Sequence, residues 1–229
     1  MDQLDLAQVR SAAEEFLTRN CPLDGLLLNA GWFGSEYKLS AQGYESHFAI
    51  NHLSHWLFAN LLMDKLSENS SRSNPSRLVI LSSESHRQPK MNSIHLAQLS
   101  CTKENYFSVL QYNRSKYCNV LHMHHLACKL AERHVIVHSV HPGNMVQTGI
   151  QRRWWGWKLL FALASPFTKS VSQGAATQLY ALCHPLAAEF TGVYWNNCAP
   201  CEPISTAINE DNSLQLELLS KKICAQFIA

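Results

Sequence analysis

"SRLVILSSES", Ser76–Ser85, sets four aliphatic residues side by side, Leu78 to Leu81, and then stops on serines. A run with no polar alternation is buried on both faces, as a central strand of a parallel sheet is. Two similar runs flank it. Upstream lies "LDGLLLNAG", Leu23–Gly31, and downstream lies "HVIVHSVHPG", His134–Gly143, which ends on a Pro-Gly turn signal. "TGVYWNN", Thr191–Asn197, reads as a fourth strand. Helical patterns separate them: Leu6–Arg19, Gly43–Leu66, Asn113–Arg133 and Gln173–Cys183. Strands alternating with helices of these lengths specify an α/β fold with a parallel sheet.

The bulk numbers agree. The chain has 229 residues, 46% of them apolar and 16% charged, which describes one sizeable globular domain with a real core. A net charge of +2 argues against nucleic acid as a partner. The opening "MDQLDLAQVRSAAEEF" has no secretory apolar region, so the 8 cysteines read as reduced thiols and the expected location is the cytoplasm, with the nucleus or a membrane surface as alternatives. The "HMHH" run, His122–His125, lacks acidic or cysteine partners at ligand spacing, and the single "CAPC", Cys198–Cys201, lacks a second pair, so no metal site is expected. "RRWWGWKLLFALASPFTK", Arg152–Lys169, is too short to span a bilayer. Its tryptophans and basic flanks suit a flap over an apolar pocket, or a peripheral contact with a membrane surface.

In a doubly wound sheet, ligands gather at the carboxyl ends of the strands. Those ends are Asn29-Ala30-Gly31, Ser82-Ser83 and Pro142-Gly143, all small, polar or turn-forming. Between the second and the third, "QYNRSKYCNVL", Gln111–Leu121, places Tyr112 and Lys116 one helical turn apart on a shared face. A tyrosine titrates near pH 10 and is a poor proton relay at neutral pH; a lysine ammonium close by is expected to lower that value.

The ordered set resembles the short-chain dehydrogenases/reductases, which carry a strand-end NAG, a strand-end serine, a Tyr-x-x-x-Lys helix and a Pro-Gly turn in that order. Asn51, in "FAINHLSHW", matches the family's helical asparagine. "VILSSESHR", "HPGNM", "SPFTKSVSQGAAT" and "YWNNC" place the resemblance in the branch of WW-domain-containing oxidoreductases and retinol dehydrogenases, and it covers nearly the whole chain. It implies a Rossmann-like doubly wound parallel sheet and a hydride exchanged between NAD or NADP, which the sequence does not distinguish, and a lipophilic alcohol or ketone of retinoid or steroid type. It implies that Tyr112 exchanges the proton, that Lys116 holds the nicotinamide ribose, that Ser83 binds the substrate oxygen and that Asn51 supports a water behind Lys116. It implies cofactor contacts at Asn29, Ala30, Gly31, Tyr112, Lys116, Pro142 and Gly143, and at Asp5 and Leu6, which resemble a post-strand Asp-Leu touching adenine. By analogy, the helices of Gly43–Leu66 and Asn113–Arg133 form a homodimer face.

No Gly-x-x-x-Gly-x-Gly follows a strand anywhere in this sequence. The expectation is therefore a single partial domain over residues 1–229, without the family's first βα units and glycine-rich loop, whose apolar strand Leu26–Asn29 lies at an open sheet edge and whose own turnover is weak. The alternative reading is a catalytically inactive truncated isoform or fragment that acts through protein–protein interaction.

Overall fold

The computed structural model describes residues 1–89, 91–143 and 169–228. Five strands form one sheet in the order of the chain: β1 (Gly25–Leu28), β2 (Ser76–Leu81), β3 (Val135–His141), β4 (Val193–Asn196) and β5 (Ala199–Cys201). The first four are parallel, and β5 returns antiparallel to β4. The turn between them, Asn197-Cys198, has both φ angles positive (53° and 59°), as a two-residue hairpin turn requires. The sequence reading missed β5, because "CAPC" carries none of the usual Asn-Gly signal. β1 is the edge strand of this sheet, as expected.

The strand periodicity of two sends alternate residues to two separate cores. Leu26, Leu28, Leu78, Ile80, Val135 and Val137 meet helices α1 (Leu6–Thr18), α3 (Ser54–Ser67) and α5 (Ser108–Lys129) on one face. Val79 and Val140 meet Ala181 of α6 (Val171–Cys183), with Leu27, Leu81 and Val193 packed alongside on the other. The sheet is thus wound on both faces, as a Rossmann-like fold is. The described helix around Tyr112 begins at Ser108, five residues before the expected start.

One element was not expected at all. Helix α7 (Glu210–Ile228) lies across α3 and α5 as an outer layer. Leu216 and Cys224 join the larger core, the Trp56 indole N–H donates to Glu217 Oε2 at 2.6 Å, and His52 Nε2 lies 2.9 Å from Ser220 Oγ. The face of the two long helices around His52 and Trp56, read by analogy as a homodimer face, is covered here by α7. The Trp-rich stretch Arg152–Lys169, read as a flap or membrane contact, lies outside the described residues except for Lys169. Among the described residues no helix is long and apolar enough to cross a membrane.

Candidate active site

Parallel strands bring their carboxyl ends to one edge of the sheet, and the expected residues stand there. α5 carries Tyr112 and Lys116 past the ends of β1 and β2. The Lys116 ammonium is 2% exposed and donates to Leu81 O at 3.1 Å, the last residue of β2. A Cβ built on Gly31 would lie 3.4 Å from Lys116 Nζ and 3.6 Å from Asn51 Oδ1, so the backbone after β1 runs against both side chains. Ser82 and Asn119 complete the framework: Ser82 Oγ donates to Lys116 O at 2.8 Å, and Asn119 Nδ2 donates to Leu81 O at 2.9 Å.

Asn51 sits in a π-helical segment, Ala49–Leu53, between the short α2 (Ser46–Phe48) and α3. Such widened turns recur at functional sites because they rotate one side chain off the regular helical face. Here Asn51 Oδ1 accepts the Trp32 N–H at 2.7 Å, and its Nδ2 donates to Trp32 O at 3.0 Å and to Ser115 Oγ at 2.8 Å. It therefore staples the loop after β1 to α5.

Tyr112 is half-buried, with Lys116 Nζ 5.7 Å from its ring centroid and Ser83 as hydrogen-bond partner. Its titration departs from expectation. Burial raises the phenol above its ordinary value, and the Ser83 hydrogen bond draws it partly back. Burial also disfavours the charge of Lys116 and lowers its pKa to about 8. Ser83 accepts the Ser85 N–H at 3.3 Å as the cap of a 3-10 turn, Glu84–Arg87, and His86 Nδ1 holds Ser83 O at 2.7 Å.

The remaining expected residues divide. Asn29 and Ala30 are exposed at the end of β1, and Gln178 Nε2 reaches Asn29 Oδ1 at 3.5 Å. Pro142 and Gly143 end β3, where Lys169 Nζ reaches Pro142 O at 3.5 Å and also bonds Asn197 Oδ1. Gly143 has φ +99°, a conformation only glycine adopts without strain. Asp5 is half-buried and caps α1, accepting from Ala7 N and Gln42 Nε2 at 3.0 Å each; the Gln42 bond lowers its pKa. The Leu6 side chain is 2% exposed and packs in the core. Leu4, beside them, lines a cavity of about 350 Å³ with Trp32, Glu36, Lys38, Ser46 and Ile50.

No family model matches the chain. Its relatives are unambiguous. It is 42% identical over 227 residues to the WW domain-containing oxidoreductase of Homo sapiens, covering 96% of this chain and 54% of that protein. It is 35% identical over 216 residues to retinol dehydrogenase 12 of Mus musculus, covering 94% of this chain and 66% of the relative. A solved protein from Mycobacterium paratuberculosis superposes with a TM-score of 0.74 at 25% identity, over 98% of this chain and 74% of that one. The NADPH-bound carbonyl reductase from chicken fatty liver shares the fold, with a TM-score of 0.62 at 17% identity over 86% and 73%. The chain belongs to the short-chain dehydrogenase/reductase family. It spans about half the length, 54%, of the WW domain-containing oxidoreductases it matches.

Proposed function

We propose that this protein is an NAD(P)-dependent oxidoreductase that interconverts a lipophilic alcohol and its ketone or aldehyde. The observation that carries the reading is the meeting of Lys116, Asn51, Gly31 and the Ser83–Tyr112 pair at one sheet edge. The residues suit a nicotinamide nucleotide. Gly31 leaves the backbone open to close approach, and among the described residues the buried Lys116 ammonium makes one hydrogen bond, to Leu81 O, with its three N–H donors. Lys116, Asn29, Ala30 and Gly31 would hold the nicotinamide riboside, with Pro142 and Gly143 across from them. The cavity beside Leu4 and Ile50 would take the adenosine end. Bound there, the nicotinamide supplies or accepts the hydride.

The protein's own residues do the proton work. In reduction, the Tyr112 hydroxyl gives its proton to the carbonyl oxygen as the reacting carbon gains hydride, and Ser83 donates a hydrogen bond to the same oxygen. Lys116, with a pKa near 8, is positioned to return a proton to the phenolate side of the site at neutral pH. The relatives' names support a retinoid-like or similarly apolar substrate. Steady-state oxidation of NADPH and NADH with a panel of lipophilic aldehydes and ketones, run on the wild-type protein and on Tyr112→Phe, tests this reading. Turnover by the wild type that Tyr112→Phe abolishes is expected; equal rates in both, or no turnover on the panel, would refute it.

A further inference from the structure

The loop Trp32–Gly34 is held far more firmly than a strand-end connection needs. Besides the two Trp32 bonds to Asn51, the Gly34 N–H donates to His47 Nε2 at 3.2 Å. Gly34 O accepts from Ser108 Oγ at 2.6 Å and Tyr106 Oη at 3.2 Å. A Cβ at position 34 would lie 2.3 Å from Trp32 Cζ2, so only glycine fits. The His47 ring is fully buried, and its Nδ1 lies 2.8 Å from Oε1 of the equally buried Glu45. Because Nε2 accepts from Gly34, the ring proton sits on Nδ1 and faces the carboxylate. Glu45 also takes the His47 and Phe48 N–H groups and the Ser46 hydroxyl, so its position is fixed in turn.

What this clamp presents is Phe33. Its ring stands edge-on to Tyr112, with centroids 5.0 Å apart and planes at 80°, and His47 packs behind both at 6.2 Å from each. Phe33 is half-buried, so part of its ring stays open beside the phenol. A substrate oxygen in hydrogen-bond reach of Tyr112 brings the group carried on the reacting carbon within about one ring's width of Phe33, and aromatic or flat apolar groups gain most from such an edge.

We propose that Phe33 is a specificity-determining wall of the substrate site and His47 the positioning residue that holds it there, selecting carbonyls and alcohols with a flat, unsaturated or aromatic group on the reacting carbon. This rests on the oxidoreductase reading for its chemistry, but not for its binding test. Saturation-transfer NMR with acetophenone and cyclohexyl methyl ketone measures binding without turnover. The wild type should bind acetophenone in preference, Phe33→Ala should weaken it about tenfold, and Phe33→Leu should fall between. His47→Gln should reduce the preference in the same direction; should it not fold, Ser108→Ala removes the other anchor of Gly34. In turnover, Phe33→Ala should raise KM for acetophenone with little change in kcat, a split that general destabilisation would not give. Equal acetophenone binding by wild type and Phe33→Ala, or none by the wild type, overturns the proposal. Binding that follows Phe33 with no NADPH- or NADH-dependent turnover by the wild type would instead sink the oxidoreductase reading and leave the wall standing.

Discussion

The active-site edge and the seam under α7 both bury polar side chains, yet they treat them in opposite ways. At the edge, Lys116 is buried with its charge within reach of neutral pH, its pKa lowered to about 8. In the seam, burial drives His52 and His55 down to about 3 and His122 well below its usual value, so all three are neutral where the protein works. The seam's one carboxylate, Glu217, has its hydrogen-bonding capacity taken up by Trp56, with His125 and Lys129 close by at 3.8 and 3.5 Å. The seam ties Trp56 and His52 to α7 but leaves His52 Nδ1, His55 Nδ1 and His122 Nε2 buried without a hydrogen-bond partner among the described residues; the edge keeps a lysine that can change its charge near neutral pH. Substitutions at the edge should therefore remove function without stability, and substitutions in the seam the reverse.

The largest expected effect is on rate. Tyr112→Phe should lower kcat/KM by roughly 10²–10⁴-fold, the usual worth of a positioned general acid, with an unchanged thermal midpoint. Lys116→Met sharpens the contrast. It should cost on the order of tenfold to a hundredfold in kcat, yet leave Leu81 O bonded to Asn119 and relieve a buried ammonium, so the midpoint in calorimetry should hold or rise. A fall in midpoint comparable to that of a core truncation would break the comparison. Glu217→Ala should do the opposite: stranding the Trp56 indole N–H costs about 1–3 kcal/mol, read as a lower denaturant midpoint, with kcat of the folded protein unchanged.

The pH dependence separates the regions by its sign. His52 and His55 stay neutral in the folded chain down to about pH 3, whereas the unfolded chain protonates them near 6.5. Stability should fall as pH drops through that window, with a slope approaching about 1.4 kcal/mol per pH unit for each histidine. Lys116 acts between about 8 and the ordinary lysine value of 10.5, where the unfolded chain holds the proton that the folded one has lost, so its contribution rises with pH. Urea titrations across pH 4–10 would read both, and His52→Asn should flatten the acid limb alone.

The four parallel strands were legible because their runs are dense in apolar residues and end on small or turn-forming residues, whereas the short, exposed β5 carries no such run. Tyr112, Lys116, Ser83 and Asn51 were legible as a spaced set. Helix α7 was not, because its buried face mixes polar residues with Leu216 and Cys224. Asn212, Ser213, Glu217 and Ser220 face inward while Leu214 and Leu218 are 50% and 58% exposed. Tertiary hydrogen bonds from Trp56, His52 and His124 make that polar face buriable, and no local rule announces them. The π-helical turn at Asn51 and the Glu45–His47–Gly34 clamp were invisible for the same reason: both depend on partners far away in sequence.

The most direct test of the central claim is the thermal midpoint of the protein with and without about 1 mM NADPH or NADH. A cofactor held by the Lys116–Gly31 edge binds only the folded form and should raise the midpoint by several degrees at about a hundred times its Kd, with a smaller rise in Lys116→Met. An unchanged midpoint with both nucleotides would contradict the account.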